Sequence, residues 1–324
     1  MLAPDIKVIL FTNGTNCMPI IRYLHSNDML AGVVLPASVT NLIGEIRTNT
    51  GTSVDVLIAE MPRDNVKLAD WLAYINADVC IVSGFPYKIP ISMLVLPRLG
   101  FYNIHYSLLP KYRGGAPVFW AIKNGAEKSG VTIHKMTEDL DGGAIVLQNE
   151  LFIMPGEHLG LYNSRLDALA ASMLPQLLYK LMHNEMLECE QEEENSTYQY
   201  KPTQQDLTIN WESQTAYQVE CLINACNPTY GGAITWLNGQ QVRIIEVSPA
   251  MINGAQFITP GAIAYADANQ GLFVACTDNS FLRINVVATN EGVISGTKLV
   301  TLGLNVSHKF ESIIKTENSP IIFS

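Results

Sequence analysis

From Gly100 to Pro117 the chain reads Gly-Phe-Tyr-Asn-Ile-His-Tyr-Ser-Leu-Leu-Pro-Lys-Tyr-Arg-Gly-Gly-Ala-Pro. Asn103 and His105 stand two apart in the short strand-like run Phe101 to His105. Strand side chains alternate with period two, so both face one way and Ile104 faces the other. The run stops at Ser107 and a Pro/Gly-rich loop follows, which puts an amide and an imidazole side by side at a strand end. Such a pair can exchange hydrogen bonds and protons with a ligand. A histidine there can equally be structural, and the residues alone leave both readings open. A second stretch, Gly130 to Ile145, reads as a strand over Val131 to Met136, a loop over Thr137 to Leu140 and a tight turn at Asp141-Gly142-Gly143. The glycines let backbone come close to a ligand. Asp141 either serves that site or merely begins the turn.

These residues must be positioned by the elements around them. Ile6 to Phe11, Leu30 to Leu35, Val54 to Ile58 and Val79 to Ser83 are apolar runs of buried-strand length. Helical stretches over 17–29 and 65–76 separate them. That alternation predicts a parallel sheet covered on both faces, with ligands beyond the carboxyl ends of its strands. The break after the first run, Thr12-Asn13-Gly14-Thr15-Asn16, lacks a dinucleotide fingerprint, and no P-loop is present. A long helix is predicted over Leu161 to Met182. Glu185 to Glu194 then hold six acids and no base, read as a solvated helix end and linker rather than a cation site. Beyond it lie strand-like runs at 232–236, 241–247, 271–276 and 281–287. Leu237-Asn238-Gly239-Gln240 is a hairpin signal between the first two. A small β-barrel or β-sandwich accounts for this half.

The whole chain has 324 residues, 30 acidic and 20 basic, for a net charge of −10. Hydrophobic residues make up 48%, enough for a core in each half, which excludes wholesale disorder. Bulk-charge binding of a long polyanion is disfavoured, though a local basic site is not excluded. No apolar run reaches the ~18 residues of a membrane helix. Met1 to Asp5 lack the basic start of a secretory signal. Six scattered cysteines without a C-x-x-C pair fit free thiols in a reducing, cytoplasmic setting. No Cys/His cluster has zinc-ligand spacing, so no metal is expected.

The ordered motifs Asn103-x-His105, Ser107-Leu108-Leu109-Pro110-x-x-Arg113-Gly114-x-x-Pro117, Gly130-Val131-Thr132-Ile133 and Leu140-Asp141-x-Gly143 resemble those of the folate-dependent formyltransferase family. That family includes enzymes acting on methionyl-tRNA, on glycinamide ribonucleotide and on sugar nucleotides. Lys201-Pro202-Thr203, Ile209-Asn210-Trp211 and Asn227 to Ala233 are similar to the C-terminal barrel found in the tRNA and aminoarabinose enzymes. The resemblance implies an α/β fold: a Rossmann-like, mostly parallel sheet domain followed by a smaller C-terminal OB-like β-barrel domain. The expected bounds are 1–185 for the catalytic domain, 186–205 for an acidic linker and 206–324 for the barrel.

The resemblance also implies a reaction. An amine would attack the formyl carbon of 10-formyltetrahydrofolate, with Asn103, His105 and Asp141 as the catalytic trio. Asn103 and His105 would hydrogen-bond the oxyanion, and Asp141 would favour imidazolium and help relay the amine's proton. Folate contacts are expected from Phe85, Pro86, Tyr87, Ile104, Met136 and Leu140; plain loop packing is the alternative for the three at 85–87. Acceptor contacts are expected from Ser107, Lys111, Arg113 and Gly114. His134 lines the site or is a satisfied structural histidine. The acceptor is read from charge. Residues 195–324 carry six bases (Lys201, Arg243, Arg283, Lys298, Lys309, Lys315) against nine acids, and Pro36 to Thr50 hold only Arg47, where tRNA enzymes of this family usually carry a basic insertion. The expected acceptor is therefore a small amine on a nucleotide-linked sugar, its diphosphate held by Arg113 and Lys111. Methionyl-tRNA is the alternative, and a non-catalytic folate- or sugar-nucleotide-binding module is the reading of another class.

Overall fold

A computed structural model describes residues 6–14, 17–252 and 257–312. Met1 to Asp5, Thr15, Asn16 and Lys315, used in the readings above, lie outside the described residues. The chain divides into two units, Met1–Pro117 with Lys128–Phe152 and Asn163–Gln199, and Val118–Glu127 with Ile153–Tyr162 and Tyr200–Ser324.

In the first unit strands and helices alternate: β1 (Val8–Thr12), α1 (Met18–Ser26), β2 (Leu30–Pro36), α2 (Leu42–Thr50), β3 (Asp55–Ala59), α3 (Asn65–Ile75), β4 (Val79–Ser83), α4 (Ile91–Leu94) and β5 (Phe101–His105). After them come β6 (Arg113–Gly114), β7 (Lys128–Lys135), β8 (Ile145–Phe152), the part of α6 (Leu159–Met182) from Asn163 onward and β9 (Tyr198–Gln199), while α5 (Pro117–Lys123) belongs from Val118 to the second unit. The main sheet runs β3-β2-β1-β4-β5-β7-β8. It is parallel from β3 to β5 and antiparallel from β5 to β8. Every residue of β1 and β4 is buried, which is why both read as unbroken apolar runs. The order reverses between β1 and β4, so the carboxyl ends there form the crevice where such sheets bind ligands.

One face of this sheet is a core of Ile9, Phe11, Cys80, Val82 and Phe101 under Leu68 and Leu72 of α3 and Met93 and Leu94 of α4. Phe101, Asn103 and His105 share that face by the period-two rule. The apolar core therefore runs straight into the polar site. Along α6, Leu166, Ala170, Met173, Leu174, Leu177 and Leu181 are buried, a stripe at helical spacing. β4 and β5 have the bounds their sequence runs predict. β7 begins three residues before Val131 because Lys128 pairs with Phe152 of β8, a partner that local sequence does not reveal.

In the second unit α7 (Ala216–Cys226) precedes β10 (Ala233–Leu237), β11 (Gln240–Ala250), β12 (Ile263–Asp267), β13 (Gly271–Ala275), β14 (Phe281–Thr289), β15 (Gly292–Ser295), α8 (Gly296–Thr301) and β16 (Phe310–Glu311). Asn238 and Gly239 between β10 and β11 have φ of 52° and 77°, the left-handed pair that a two-residue hairpin turn requires. The antiparallel order is β12-β13-β14-β11-β10-β16, with β15 beside β14. The two edges meet: Phe310 N–H donates to the Gly261 carbonyl at 2.8 Å and Ile263 N–H to that of His308 at 3.2 Å. The sheet thus curls into the barrel expected of this half, which protects its edges. Trp211 is fully buried, tilted against Phe310 at 6.0 Å, and its indole N–H donates to the Thr235 hydroxyl at 2.9 Å. Among the described residues no helix is long and apolar enough to cross a membrane.

Candidate active site

The site starts from the register of β5 against β7, where Asn103 lies opposite His134 and His105 opposite Thr132. Opposed residues on neighbouring strands share a face, so two histidines and an amide converge. Asp141 reaches them from the loop after β7. Its Oδ1 accepts from Asn103 Nδ2 at 3.1 Å, and its Oδ2 accepts from the Gly114 N–H at 2.9 Å. His134 Nε2 lies 3.5 Å from Oδ1, and His105 Nδ1 lies 3.7 Å from Oδ2. Asn103, His105 and Asp141 are thus brought together, with His134 as a fourth member.

Hydrogen-bond partners fix the roles of the ring nitrogens. His105 Nε2 is 2.8 Å from the carbonyl of Tyr112, which only accepts, so Nε2 carries a proton and Nδ1 is the uncommitted nitrogen. His134 Nδ1 is 3.0 Å from the Lys135 carbonyl. In the uncharged ring its Nε2 therefore accepts from Asn103 Nδ2 at 3.1 Å. Both N–H bonds of Asn103 are then engaged and its Oδ1 is the atom left open.

Burial pulls the His105 imidazolium below its ordinary value, while the Asp141 carboxylate and the Tyr112 carbonyl oppose that fall. Burial alone would raise the Asp141 carboxyl. The neighbouring His105 and His134 and the Gly114 N–H outweigh it and hold the group well below the usual carboxylate range. A buried, ionised carboxylate beside an imidazole of lowered basicity is an arrangement suited to proton transfer at neutral pH.

The loops that carry these groups are strained. Tyr112, Ala116 and Asp141 have φ of 59°, 54° and 52°, a region costing roughly 1–2 kcal/mol for Tyr112 and Ala116 and less for Asp141, since Asp tolerates it. The first loop is held down at its base. The Thr132 hydroxyl donates to the Ser107 carbonyl at 2.6 Å and accepts from the Leu109 N–H at 3.2 Å. Ser107 is fully buried, and its hydroxyl donates to the Lys111 carbonyl at 2.7 Å.

Two of the expected acceptor contacts are engaged within the protein. Ser107 is a loop staple with no exposed surface. Arg113 is only 2% exposed. Its Nε and Nη2 donate to Gln191 Oε1 at 3.0 and 2.9 Å. Its Nη1 donates to both Glu193 oxygens at 3.0 and 2.8 Å and to the Tyr198 hydroxyl at 2.6 Å. A guanidinium so engaged has too little left to grip a diphosphate. Gly114 contributes its backbone, at φ 91°, through the bond to Asp141. Lys111 is exposed and stays available to an anion.

Of residues 186–205, expected as an acidic linker, those up to Gln199 take part in the first unit. Cys189 pairs with Ile145 through two backbone bonds of 2.8 and 2.9 Å, and β9 lies parallel to β6. Gln191, Glu193 and Tyr198 were missed by sequence reasoning. Their signal was thin: Gln191 is the one uncharged amide inside the acidic run.

The expected folate contacts divide. Phe85 packs edge-on against Phe11 at 5.3 Å and against Tyr87 at 5.5 Å. Phe85, Tyr87 and Met136 are partly buried against the core cluster on the trio's face of the sheet. Pro86 is exposed, and Leu140 is 63% exposed. Phe85, Tyr87 and Met136 thus make an apolar shelf on that face. Ile104 is 3% exposed and turns to the opposite face, so its side chain is not on this shelf and only its backbone remains a candidate. Among the described residues no group of three metal-ligating side chains occurs.

Residues 6–178 match the family model described as formyl transferase, and residues 201–299 the model of the formyl transferase C-terminal domain. Methionyl-tRNA formyltransferase of Thermotoga maritima is 35% identical over 209 residues, 64% of this chain and 65% of the relative. The enzyme of that name from Synechococcus sp. (strain JA-2-3B'a(2-13)) is 32% identical over 247 residues, 75% of this chain and 76% of the relative. The matches span 62–65% of the length of the first three such relatives. Among solved structures, the Helicobacter canadensis N-formyltransferase with folinic acid and dTDP-3-aminofucose superposes with a TM-score of 0.64 at 16% identity, covering 86% of this chain and 98% of that one. HypX of Aquifex aeolicus with tetrahydrofolic acid gives 0.64 at 16% identity, over 91% and 47%. At such identities these likenesses speak for the fold. With its family models matched over both halves, the chain belongs to the formyl transferase family.

Proposed function

We propose that this chain moves a formyl group from 10-formyltetrahydrofolate to a primary amine. The observation that carries the reading is the convergence of Asn103, His105 and Asp141 at the carboxyl end of β5. The partly buried shelf of Phe85, Tyr87 and Met136 on the same face suits a flat heteroaromatic ring, which needs apolar faces and an open edge.

The residues divide the work as follows. The amine nitrogen bonds the formyl carbon and the carbonyl oxygen gains charge. His105 Nδ1, the uncommitted nitrogen, takes the proton that the amine loses. The Asp141 carboxylate at 3.7 Å favours the imidazolium so formed. That cation, with Asn103, faces the oxyanion. Asn103 exchanges its neutral bond to His134 for a charge-assisted one, which is roughly twice as strong. As the bond between formyl carbon and folate nitrogen breaks, His105 returns the proton to that nitrogen. No side-chain nucleophile is needed.

For the acceptor, the relatives at 30–37% identity that bear the name methionyl-tRNA formyltransferase favour the aminoacyl end of methionyl-tRNA. The engagement of Arg113 removes the main support for a diphosphate grip. A sugar-nucleotide amine is kept as a second reading by the excess of acids over bases in residues 195–324, since tRNA binding needs several phosphate contacts. A cytoplasmic setting belongs to the same proposal. The test offers methionyl-tRNA and a dTDP-amino sugar in turn with 10-formyltetrahydrofolate and follows tetrahydrofolate release at several salt concentrations. Efficient, steeply salt-dependent formylation of the tRNA supports the first acceptor. Turnover confined to the sugar nucleotide reverses the choice, and turnover of neither acceptor counts against both.

A further inference from the structure

Asp141 owes its carboxylate direction to a left-handed turn at φ 52°, which Asp can adopt but which other conformations compete with. The Gln191 side chain meets both ends of that turn. Its Nε2 donates to the Asp141 carbonyl at 2.8 Å and to the Gly143 carbonyl at 2.7 Å. Its Oε1 accepts from Arg113 Nε and Nη2. All four hydrogen-bonding positions of the amide are filled. The orientation is unambiguous, because a flipped amide would set N–H against guanidinium N–H and oxygen against carbonyl oxygen. Backbone bonds fix the segment on either side, Cys189 to Ile145 and Gly115 to Gln199. Gln191 thus joins the Arg113 loop to the Asp141 turn, and the Gly114 N–H on the first loop in turn holds Asp141 Oδ2.

We propose that Gln191 is a positioning residue for the catalytic carboxylate, tying the two motif loops so that Asp141 keeps its aim at Asn103 and His105. The inference rests on the catalytic reading of Asp141 given above. Its test uses the full-length Gln191→Ala and Gln191→Glu variants with Asp141→Asn as reference. Gln191→Glu keeps the shape and the hold on Arg113 but turns an oxygen toward the two carbonyls, so it breaks only the tie to the turn. Misplacing a reacting group by an ångström costs up to about 100-fold; kcat is expected to fall about tenfold or more in both variants, with KM for folate and acceptor within about threefold. A purely structural Gln191 would lower the melting temperature and leave kcat intact well below it, which would overturn the proposal. Should Gln191→Ala fail to fold, Gln191→Glu decides by the same numbers. An inactive Asp141→Asn beside a Gln191→Glu variant within twofold of wild type refutes the positioning role alone. An active Asp141→Asn refutes the catalytic reading on which it stands.

Discussion

Replacing Asp141 by Asn removes one charge and almost no volume. The backbone tolerates the change, because Asn enters the left-handed region at φ 52° as readily as Asp. The hydrogen bonds do not. Both carboxylate oxygens accept from N–H groups, Asn103 on one side and Gly114 on the other. An Asn must present its own NH2 to one of them and leave a buried donor unmatched, at about 1–3 kcal/mol. The charge matters more. At 3.7 Å and an effective dielectric near 20, a carboxylate favours a facing imidazolium by about 4.5 kcal/mol. Without it His105, already lowered by burial, has little tendency to take the amine's proton. Turnover should fall by about two to three orders of magnitude, of the size seen when one transition-state donor is lost. The assay is steady-state release of tetrahydrofolate at pH 7.5 with saturating acceptor, beside a folate-binding titration. Binding should persist, since the shelf of Phe85, Tyr87 and Met136 is untouched. Turnover within threefold of wild type would refute the electrostatic argument.

Two further substitutions probe the scaffold. Asp167 is 7% exposed and accepts from the Tyr106 hydroxyl at 2.6 Å; burial raises its carboxyl from 3.8 to about 6. A carboxyl raised on folding stabilises the fold below its unfolded value and loses that contribution as pH rises through about 6, here at most about 3 kcal/mol. Asp167→Asn keeps an acceptor for Tyr106, so it should raise the melting temperature at pH 7.5 and leave it near wild type at pH 4; an equal gain at both would contradict the linkage. Gly114→Ala adds a methyl that runs into the Gln199 carbonyl at a backbone φ of 91°. It should cost about 2–4 kcal/mol of stability from strain and overpacking and lower turnover by displacing the N–H that holds Asp141, and an unshifted melting curve would show that β9 yields freely.

The sequence made some of this legible and hid the rest, for reasons that differ by residue. Asn103 and His105 were readable because period-two alternation in a five-residue strand needs only neighbours. β4 and β5 had recognisable ends because a glycine or a polar loop closes each run. The hairpin at Asn238-Gly239 was readable because turn chemistry is local. Arg113 was not. Its type and its Pro/Gly loop suggest an anion ligand, and only a strap about 80 residues downstream shows that its donors are used. Gln191 and Glu193 were hidden the same way, inside a run whose composition indicates solvation. Ser107 looked available as a hydroxyl at a loop start, whereas Thr132 on the neighbouring strand draws it under the loop. His134 became a member of the site only through the β5–β7 register. Charge counts do not choose the acceptor, because composition reports a whole surface and an acceptor is chosen by a local one.

If His105, backed by Asp141, carries formyl transfer to an amine, its removal must slow the transfer itself. The measurement is single-turnover transfer of a labelled formyl group from 10-formyltetrahydrofolate to methionyl-tRNA, with wild type and His105→Ala side by side. Wild type is expected to give labelled N-formylated product, and the variant a rate at least about 100-fold lower with folate binding kept. Undiminished transfer by His105→Ala would contradict that role for His105.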